Sequence, residues 1–253
     1  MPSEAAGLIM AGGAGERMRL SGSAVPKPLV SVAGRPLLEW NLLALLRAGL
    51  GEIHVSVPAA DGRVRDFARS RCAELAGRHG ARFAVIEEPQ PLGSIGAAAC
   101  VAGSLAGSPA GSPARRGDIV AVNADNLTSL DLRAVLAAHR ADGAALTLAV
   151  HDEPFTIPYG QITLEGSRVV AYREKPSFPV RICSAVSVLG PEAVHAIAPG
   201  ESIGLPALAN RLLQAGAAVR AFHHAAPWID VNDLAARERA EALVTRFADG
   251  FAA

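Results

Sequence analysis

Short apolar runs alternate with segments of helical period through the first half of the chain, and this alternation restricts the fold more than any other feature. The runs that predict buried strands are Ala5–Ala11, Ile53–Val57, Phe83–Ile86 and Ile119–Val122. The helical segments between them are Leu37–Ala48, a stretch from about Val64 to Arg78, and Ile95–Leu105. This order predicts an α/β chain with a Rossmann-like, three-layer α/β/α arrangement around a mostly parallel, mixed sheet.

The pattern changes after about residue 145. Strand-like runs follow at Leu146–Val150, Gln161–Leu164, Val169–Arg173, Arg181–Leu189 and Val219–Phe222. Because the turn 165–167 joins two of these runs directly, we expect a small antiparallel β addition to the core. Further helices are predicted at Ile203–Ala215 and Leu234–Phe247. We expect 1–253 to form a single domain in which 146–253 complete a core built from 1–145.

Composition and charge exclude several classes of protein. The 24 Lys and Arg residues balance 24 Asp and Glu residues, whereas a nucleic-acid-binding protein normally carries a basic excess. The sequence shows neither a signal-peptide pattern nor an apolar run that would span a bilayer. Its three cysteines are widely spaced and lack metal-ligand spacing. We therefore expect a soluble, cytoplasmic protein that binds neither nucleic acid nor membrane.

A glycine-rich loop directly after the first predicted strand is the strongest functional signal. The residues concerned are Met10, Ala11, Gly12, Gly13, Gly15, Arg17 and, after a spacer, Lys27 between two prolines. Glycines let the backbone approach a phosphate, which backbone amides, an arginine fork and a lysine can then bind. The spacing fits neither a dinucleotide-binding fingerprint nor a Walker A loop. The alternative is a glycine-rich turn with a solvated lysine, but the combination with Lys27 favours a phosphate site.

The segment AGGAGERM followed by VPKPLVSVAGRPLLEW closely resembles the opening of the sugar-1-phosphate nucleotidyltransferases. Their pattern is G-G-x-G-x-R, a spacer, then P-K-P-L and a G-x-P-[LM] turn into a helix. The resemblance implies an enzyme that joins a nucleoside monophosphate to a sugar 1-phosphate and releases pyrophosphate. It implies that the 12–15 backbone and Arg17 hold the triphosphate, and that Lys27 stabilises charge at the α-phosphorus. By the same resemblance, 1–145 bind the nucleotide and 146–253 bind the sugar and close the site.

Two aspartates are candidates for binding a metal ion. Asp125 follows the predicted strand 119–122 at the carboxyl edge of the sheet, and Asp230 lies in the segment PWIDV. Taken alone, each reads first as a helix cap or a turn residue. The segments VNADNLTSLDL and WIDVNDLAARERAEAL are similar to two further family motifs, which implies that Asp125 and Asp230 together hold Mg²⁺. Ala124 and Asn232 replace glycines usual in the family and remove no ligand.

Residues of the second half resemble the family's sugar-phosphate site. Glu174 and Lys175 belong to an E-K-P motif, and Tyr159 and Gly160 match a turn beside the sugar. The resemblance implies that Glu174 contacts sugar hydroxyls and that Lys175 binds the phosphate of the sugar 1-phosphate. Without the resemblance, this segment reads as an exposed strand end. A second lysine opposite Lys27 would offset the repulsion between the two phosphates that must meet.

One stretch departs from the family. Related enzymes read V-N-A-G-I-Y-V-L where this chain reads ICSAVSVL, so Cys183 replaces a sugar-facing asparagine and Ala185 replaces a glycine. Loss of the amide changes which hydroxyls are bound. We expect an acceptor other than ordinary mannose, such as a heptose, a modified hexose or a cyclitol phosphate. The equal alternative is that a neighbouring side chain replaces the lost contact.

The base of the nucleotide is assigned from one acidic residue. EEPQPLGSIGAA resembles the family's P-L-G-T-A-G-x-L stretch beside the nucleobase, which places Glu88 and Gly93 in the nucleotide site. A carboxylate there accepts both donors on the Watson–Crick edge of guanine, so Glu88 favours GTP. The alternative is a surface carboxylate beside Glu87.

The whole sequence looks most like the mannose-1-phosphate and D-glycero-α-D-manno-heptose-1-phosphate guanylyltransferases in motif order and spacing. We therefore expect a Mg²⁺-dependent guanylyltransferase for a mannose- or heptose-like 1-phosphate, and a homodimer is compatible with the family. One alternative is a thymidylyl-, uridylyl- or cytidylyltransferase that acts on another phosphorylated sugar, cyclitol or alcohol. The other is a non-catalytic relative that binds nucleotide sugar and regulates a partner, which only the divergent stretch 182–187 supports.

Overall fold

A computed structural model describes residues 5–12, 25–60, 62–103 and 117–251 of the chain. Gly13, Gly15 and Arg17, three of the predicted phosphate-binding residues, lie outside the described residues. The described strands, numbered in chain order from β1 to β13, are Ala6–Met10, Ser31–Val32, Arg35–Pro36, Glu52–Pro58, Arg82–Glu88, Ile119–Asn123, Asn126–Thr128, Leu146–Thr156, Gln161–Glu165, Arg168–Arg173, Ser177–Leu189, Val219–His223 and Trp228–Asp230. The described helices, α1 to α8, are Leu37–Arg47, 62–78, Ala98–Gly103, Leu132–Ala141, Pro191–His195, Leu205–Gln214, Leu234–Arg246 and Ala248–Phe251.

The main sheet has seven strands in the order β12-β8-β11-β6-β1-β4-β5. β6, β1, β4 and β5 run parallel to one another, as the crossover helices between them require. β11 is antiparallel to both of its neighbours, β6 and β8, and β12 is parallel to β8. The second half of the chain thus supplies three strands of the same sheet, and the predicted mixed sheet is confirmed.

Helices cover both faces of this sheet, so its strands are apolar on both sides. Ile9 of β1 packs into one core cluster with α1, α2 and α4. Its neighbour Leu8 points the other way, into a second cluster with α3, α5 and α6. Both side chains are fully buried. The predicted three-layer α/β/α arrangement is confirmed.

Two predicted boundaries are wrong for identifiable reasons. The predicted strand Leu146–Val150 continues as β8 to Thr156, because residues 151–156 pair with the beginning of β11 and extend it as a two-stranded arm. The predicted helix Ile95–Leu105 begins only at Ala98. The turn before Ala98 contains Gly93, which has φ +75°, and the carbonyl of Ile203 lies where a β-carbon would sit. Among the described residues, no helix is both long and apolar enough to cross a membrane.

A small two-stranded sheet lies beside the main one and was not predicted. Its strands β7 and β13 are antiparallel and three residues long. A third apolar cluster lies beneath it and includes Leu127, Val231, Trp40 of α1 and Val244 of α7. This sheet carries the two predicted metal ligands at its end.

Candidate active site

The carboxyl ends of β1 and β6 place the beginning of the glycine loop beside Asp125. The two strands are parallel neighbours, with Met10 paired to Asn123. Beyond the paired residues, the amide of Ala124 donates to the carbonyl of Met10 at 3.0 Å. Ala11, Gly12 and Asp125 therefore leave the sheet side by side, at the edge where open α/β sheets bind ligands.

Lys27 meets three side-chain oxygens from distant parts of the chain. It begins a short 3-10 turn, Lys27–Leu29, and its side chain is only 12% exposed. Its Nζ lies 2.7 Å from Asp125 Oδ2 and 3.5 Å from Asp230 Oδ1, and it donates to Asn232 Oδ1. These four residues form the Lys27 cluster. The structure thus brings together the predicted catalytic lysine and both predicted metal ligands.

The backbone between β7 and β13 holds the two aspartates together. Asp230 pairs with Asn126, and the amide of Val231 donates to the carbonyl of Asp125 at 3.0 Å. Side-chain amides then orient the carboxylates, because Asn126 donates to Asp125 at 3.0 Å and Asn232 donates to Asp230. Hydrogen bonds therefore hold both the backbone and the carboxylate oxygens of Asp125 and Asp230.

The electrostatics of the pair favour a cation. Burial, followed by the nearby Asp125 carboxylate, raises the pKa of Asp230 above its usual value, and Lys27 offsets part of this shift. Both carboxylates are about one-third exposed, so each can be reached from the solvent although its oxygens already accept hydrogen bonds. Mg²⁺ suits this donor set, since it is usually bound by one or two carboxylates and completed by water and substrate phosphates. The described part of the chain contains no group of three or more His, Cys, Asp or Glu that could hold a metal ion.

Glu88 lies against Gly12, the last described residue before position 25. It ends β5, is 3% exposed, and accepts hydrogen bonds from the Ser56 hydroxyl and from the Leu92 amide at 2.9 Å. A β-carbon on Gly12 would lie 2.3 Å from Glu88 Oε1, so any larger residue at position 12 would force the Glu88 carboxylate to shift. The alternative of a surface carboxylate is wrong. The guanine contact stays a prediction, and it would require Glu88 to exchange its present partners.

The predicted sugar-site residues lie on and around an exposed hairpin, β9–β10. Tyr159 is 74% exposed, and Gly160 adjoins the hydroxyl of Tyr172. Glu174 and Lys175 follow β10, also exposed, and Lys175 adopts a left-handed backbone with φ +43°. Among the described residues, no hydrogen bond or ion pair joins these side chains to the Lys27 cluster. Their role in sugar binding remains a prediction.

Cys183 is connected to the Lys27 cluster through its neighbour. It is exposed on β11, where the pairing with β8 shifts register between Cys183 and Ser187. The carbonyl of the next residue, Ser184, accepts a 2.8 Å hydrogen bond from the indole of Trp228. Trp228 begins β13, the strand that ends at Asp230. The divergent stretch is therefore anchored to the strand that carries a predicted metal ligand.

Residues 6–236 match the sequence profile of the family described as Nucleotidyl transferase. The chain belongs to this nucleotidyltransferase family. It is 27% identical to the D-glycero-α-D-manno-heptose 1-phosphate guanylyltransferase of Aneurinibacillus thermoaerophilus, over 66% of this chain and 66% of that enzyme. It is 28% identical to the N-acetylmuramate α-1-phosphate uridylyltransferase of Neisseria meningitidis serogroup B, over 93% of this chain and 96% of that enzyme.

Solved structures support the nucleotidyltransferase fold. HddC from Yersinia pseudotuberculosis superposes with a TM-score of 0.66 at 20% identity, covering 94% of this chain and 98% of that one. A putative glucose-1-phosphate thymidylyltransferase from Bacillus anthracis gives 0.69 at 17% identity, with 98% of both chains covered. The inositol-1-phosphate CTP transferase from T. maritima gives 0.67 at 17% identity, with 100% and 99% covered.

Sequence reasoning missed Asn41, which holds the backbone on both sides of Asp125, a predicted metal ligand of this nucleotidyltransferase. Asn41 lies on α1 and is 6% exposed. Its amide donates to the carbonyls of Ala124 at 3.4 Å and Asn126 at 3.0 Å, on either side of Asp125. The only available signal was a polar residue within the apolar run LLEWNLLALL. Asn232, first noted as a departure from the family motif, proves to be a direct partner of Lys27.

Two basic residues of this nucleotidyltransferase, Lys27 and Lys175, differ in type from all the others. Of the 24 basic residues in the chain, Lys27 and Lys175 are lysines and the other 22 are arginines. A lysine ammonium is a compact, rotatable point charge, whereas a guanidinium is a planar fork. In a chain that otherwise uses arginine, both lysines occur at positions where the sequence predicts phosphate contacts, and the third predicted phosphate-binding cation is Arg17.

Proposed function

We propose that this protein transfers a nucleoside monophosphate from a nucleoside triphosphate to a sugar 1-phosphate and releases pyrophosphate. The convergence of Lys27, Asp125 and Asp230 beside Gly12 carries the proposal. A glycine-lined strand end, a half-buried lysine and a carboxylate pair are the groups needed to hold a triphosphate at its α-phosphorus.

The reaction follows from charge placement. An oxygen of the sugar phosphate attacks the α-phosphorus, and the bond from that phosphorus to the pyrophosphate oxygen breaks. The attacking phosphate is already an anion, so no side chain is needed as a general base. Lys27, held by three oxygens, is oriented to stabilise the charge that develops at the α-phosphate. Asp125 and Asp230 would hold Mg²⁺, which supplies further charge neutralisation when bound.

The binding site for the acceptor, the sugar 1-phosphate, would lie in the second half of the chain. Lys175 would bind the phosphate of the sugar 1-phosphate, and Glu174 would contact sugar hydroxyls. Tyr159 and Gly160 would border the ring, with Cys183 facing it from β11. The relative from A. thermoaerophilus is named for a heptose phosphate, which supports a mannose- or heptose-like acceptor.

GTP is the first donor to test, since the sequence favours it through Glu88 and this relative is named a guanylyltransferase. UTP is the second, because the N. meningitidis relative, which matches over 93% of the chain, is named a uridylyltransferase. The buried partners of Glu88 give neither base an advantage. The donor is therefore decided by measurement rather than by this residue.

The decisive assay measures pyrophosphate release with Mg²⁺, five nucleoside triphosphates and a panel of sugar 1-phosphates. We expect release that needs both substrates and is lost in Asp125→Ala. Asp142→Ala, an exposed acid at the end of α4, is the matched control and should retain wild-type turnover. Nucleotide binding without turnover across the panel would instead identify a binding protein.

A second measurement assigns the two lysines directly. Reductive ¹³C-methylation labels Lys27, Lys175 and the amino terminus, and it preserves the lysine charges. We expect Mg²⁺ with nucleoside triphosphate to shift the Lys27 resonance and sugar 1-phosphate to shift that of Lys175. Lys27→Arg and Lys175→Arg assign the signals. A sugar phosphate that moves neither lysine signal would contradict the proposed acceptor site.

A further inference from the structure

Ser184 links three other segments of the chain through its hydroxyl and its carbonyl. Its side chain is fully buried, with Oγ 2.7 Å from His151 Nδ1 and 2.7 Å from His224 Nε2. Its carbonyl accepts the 2.8 Å hydrogen bond from Trp228. One residue of β11 is thus bonded to β8, to the segment after β12, and to β13.

The bonds around Ser184 form one directional chain. His151 Nε2 lies 3.1 Å from Glu153, and a carboxylate only accepts, so this nitrogen carries the proton. In the neutral ring, His151 Nδ1 then accepts from the Ser184 hydroxyl, which leaves the Ser184 oxygen to accept from His224 Nε2. Burial is the main cause that lowers the pKa of His224, consistent with a neutral ring. A hydroxyl is required at 184, since it alone donates to one imidazole and accepts from the other.

Ser184 also holds a backbone shape that its neighbour disfavours. Ala185 has φ +54°, in the left-handed region, where a β-carbon is strained. The strand pairing shifts register at this point, between Cys183 and Ser187. Such a conformation persists only where the surroundings over-determine it. The three hydrogen bonds of Ser184 lie beside Ala185, together with the strand pairing of β11 and a bond of the Cys183 thiol to the Ala185 backbone.

We propose that Ser184 is a positioning residue that keeps the bulge 183–185 in register with the strand carrying Asp230, and so sets the acceptor sugar relative to the bound cation. The indole of Trp228 connects Ser184 to β13: its N–H donates to the Ser184 carbonyl, and its ring packs on His151 with ring centroids 4.8 Å apart. This inference rests on the proposed function, since it assigns Cys183 to the sugar and Asp230 to the cation.

Kinetics test the positioning role. Ser184→Ala should lower kcat/KM for the sugar phosphate about tenfold and leave the KM for the nucleotide within about twofold, the size of effect expected of an outer-shell partner. Ser187→Ala is the matched control, because Ser187 is 2% exposed on the same strand and, in the described part of the chain, takes no part in the hydrogen bonds that join Ser184 to His151 and His224. Equal effects of the two substitutions on acceptor kinetics would overturn the proposal.

Two further variants separate positioning from general destabilisation. Trp228→Phe keeps a ring against His151 but removes the N–H donor. Like Ser184→Ala, it should lower kcat/KM for the sugar phosphate. Ala185→Gly, introduced into Ser184→Ala, removes the backbone strain and should restore more than half of the lost kcat/KM. No recovery, despite a normal melting temperature, would contradict the role of Ser184 in holding the bulge.

Trp228 fluorescence tests the role of Ser184 without any measurement of turnover. The chain has two tryptophans, so Trp40→Phe leaves Trp228 as the only fluorophore of its kind. In this background, Ser184→Ala should shift Trp228 emission to longer wavelength, and Ser187→Ala should not. Unchanged emission would overturn the link between Ser184 and β13 whether or not the protein is an enzyme. A shift in a protein that releases no pyrophosphate would retain the link and reject the proposed function.

Discussion

The Lys27 cluster and the β9–β10 hairpin differ in how firmly the fold holds them. Lys27 is 12% exposed and contacts three oxygens, and the backbone on both sides of Asp125 is fixed by α1, β1 and β13. In the hairpin, a row of apolar side chains is more than half exposed: Ile162, Leu164, Val169 and Tyr172. Two strands alone are marginally stable in water. The proposed catalytic charges thus lie on the rigid core, and the proposed acceptor contacts lie on a weakly supported ribbon.

This difference suggests how one fold serves several acceptors. Phosphoryl chemistry requires the same charges at the same places whatever the sugar, so it benefits from a site set between packed strands. Acceptor recognition can change on an exposed hairpin without disturbing that core. The relatives are named for different sugar phosphates, which fits this division.

The largest effect on turnover is expected from a substitution in the Lys27 cluster that keeps the positive charge but changes the shape of the side chain. Lys27→Arg replaces a point charge by a planar fork in a space bounded by three oxygens. We expect pyrophosphate release to fall on the order of 10²–10³-fold, with little change in melting temperature. Arg168→Lys, an exposed exchange in the hairpin turn, should leave both unchanged. Turnover within tenfold of wild type in Lys27→Arg would show that the cluster is not rigid.

Asp230→Asn should separate catalysis from stability. Because the pKa of Asp230 is raised, the folded state binds its proton more tightly than the unfolded state does, so the ionised form destabilises the fold. This cost appears as the pH rises through the folded pKa. We therefore expect a slightly higher melting temperature for Asp230→Asn at pH 8, and a difference that disappears under acid conditions below pH about 4.

The same Asp230→Asn variant should lose about 10²-fold in turnover, because a cation ligand is removed. Asp66→Asn, an exposed acid paired with Arg65, is the control for both measurements and should change neither. A lower melting temperature for Asp230→Asn at pH 8 would mean that the bonds from Lys27 and Asn232 outweigh the burial of the charge.

A matched pair of glycines compares the two regions by one substitution. In Gly12→Ala the new β-carbon meets Glu88, a buried carboxylate that can move only by giving up its hydrogen bonds from Ser56 and Leu92. In Gly160→Ala it meets the hydroxyl of Tyr172, whose exposed ring can swing away. We expect Gly12→Ala to cost on the order of 1–3 kcal/mol and Gly160→Ala to stay within about 0.5 kcal/mol. Denaturant unfolding measures both, and equal losses would contradict the comparison.

The sequence predicts the core of this fold better than its edges, and the reason is physical. Strands such as Ile119–Asn123 are buried on both faces, so their apolar runs stand out, and strong local periods identify helices such as α6. β7 and β13 are three residues long, which is too short for any period, and they form only because they pair with each other. The extensions of β8 and β11 are likewise fixed by mutual pairing rather than by local pattern.

The same distinction applies to the site. Lys27, Asp125 and Asp230 were predicted because they lie in motifs, and their contact across as many as 203 positions became visible only in the structure. Asn41 and Ser184 were missed because a lone polar residue in an apolar stretch carries no pattern, and its partners lie far away in the chain. For Glu88, the sequence left a surface carboxylate open as the alternative because Glu87 is its neighbour, and only the fold shows that Glu88 is buried where β5 pairs with β4.

The smallest effect is expected at Cys183, where the acceptor side departs most from the family. Cys183→Asn restores an amide at an exposed position, so folding stability and the KM for the nucleotide should stay unchanged. We expect the ratio of kcat/KM for mannose 1-phosphate to that for other sugar 1-phosphates to rise by up to about tenfold. Cys100→Ser, in α3, is the control for loss of a thiol. An unchanged ratio would mean that another side chain already makes the missing contact, and acceptor choice would then lie on the hairpin rather than on β11.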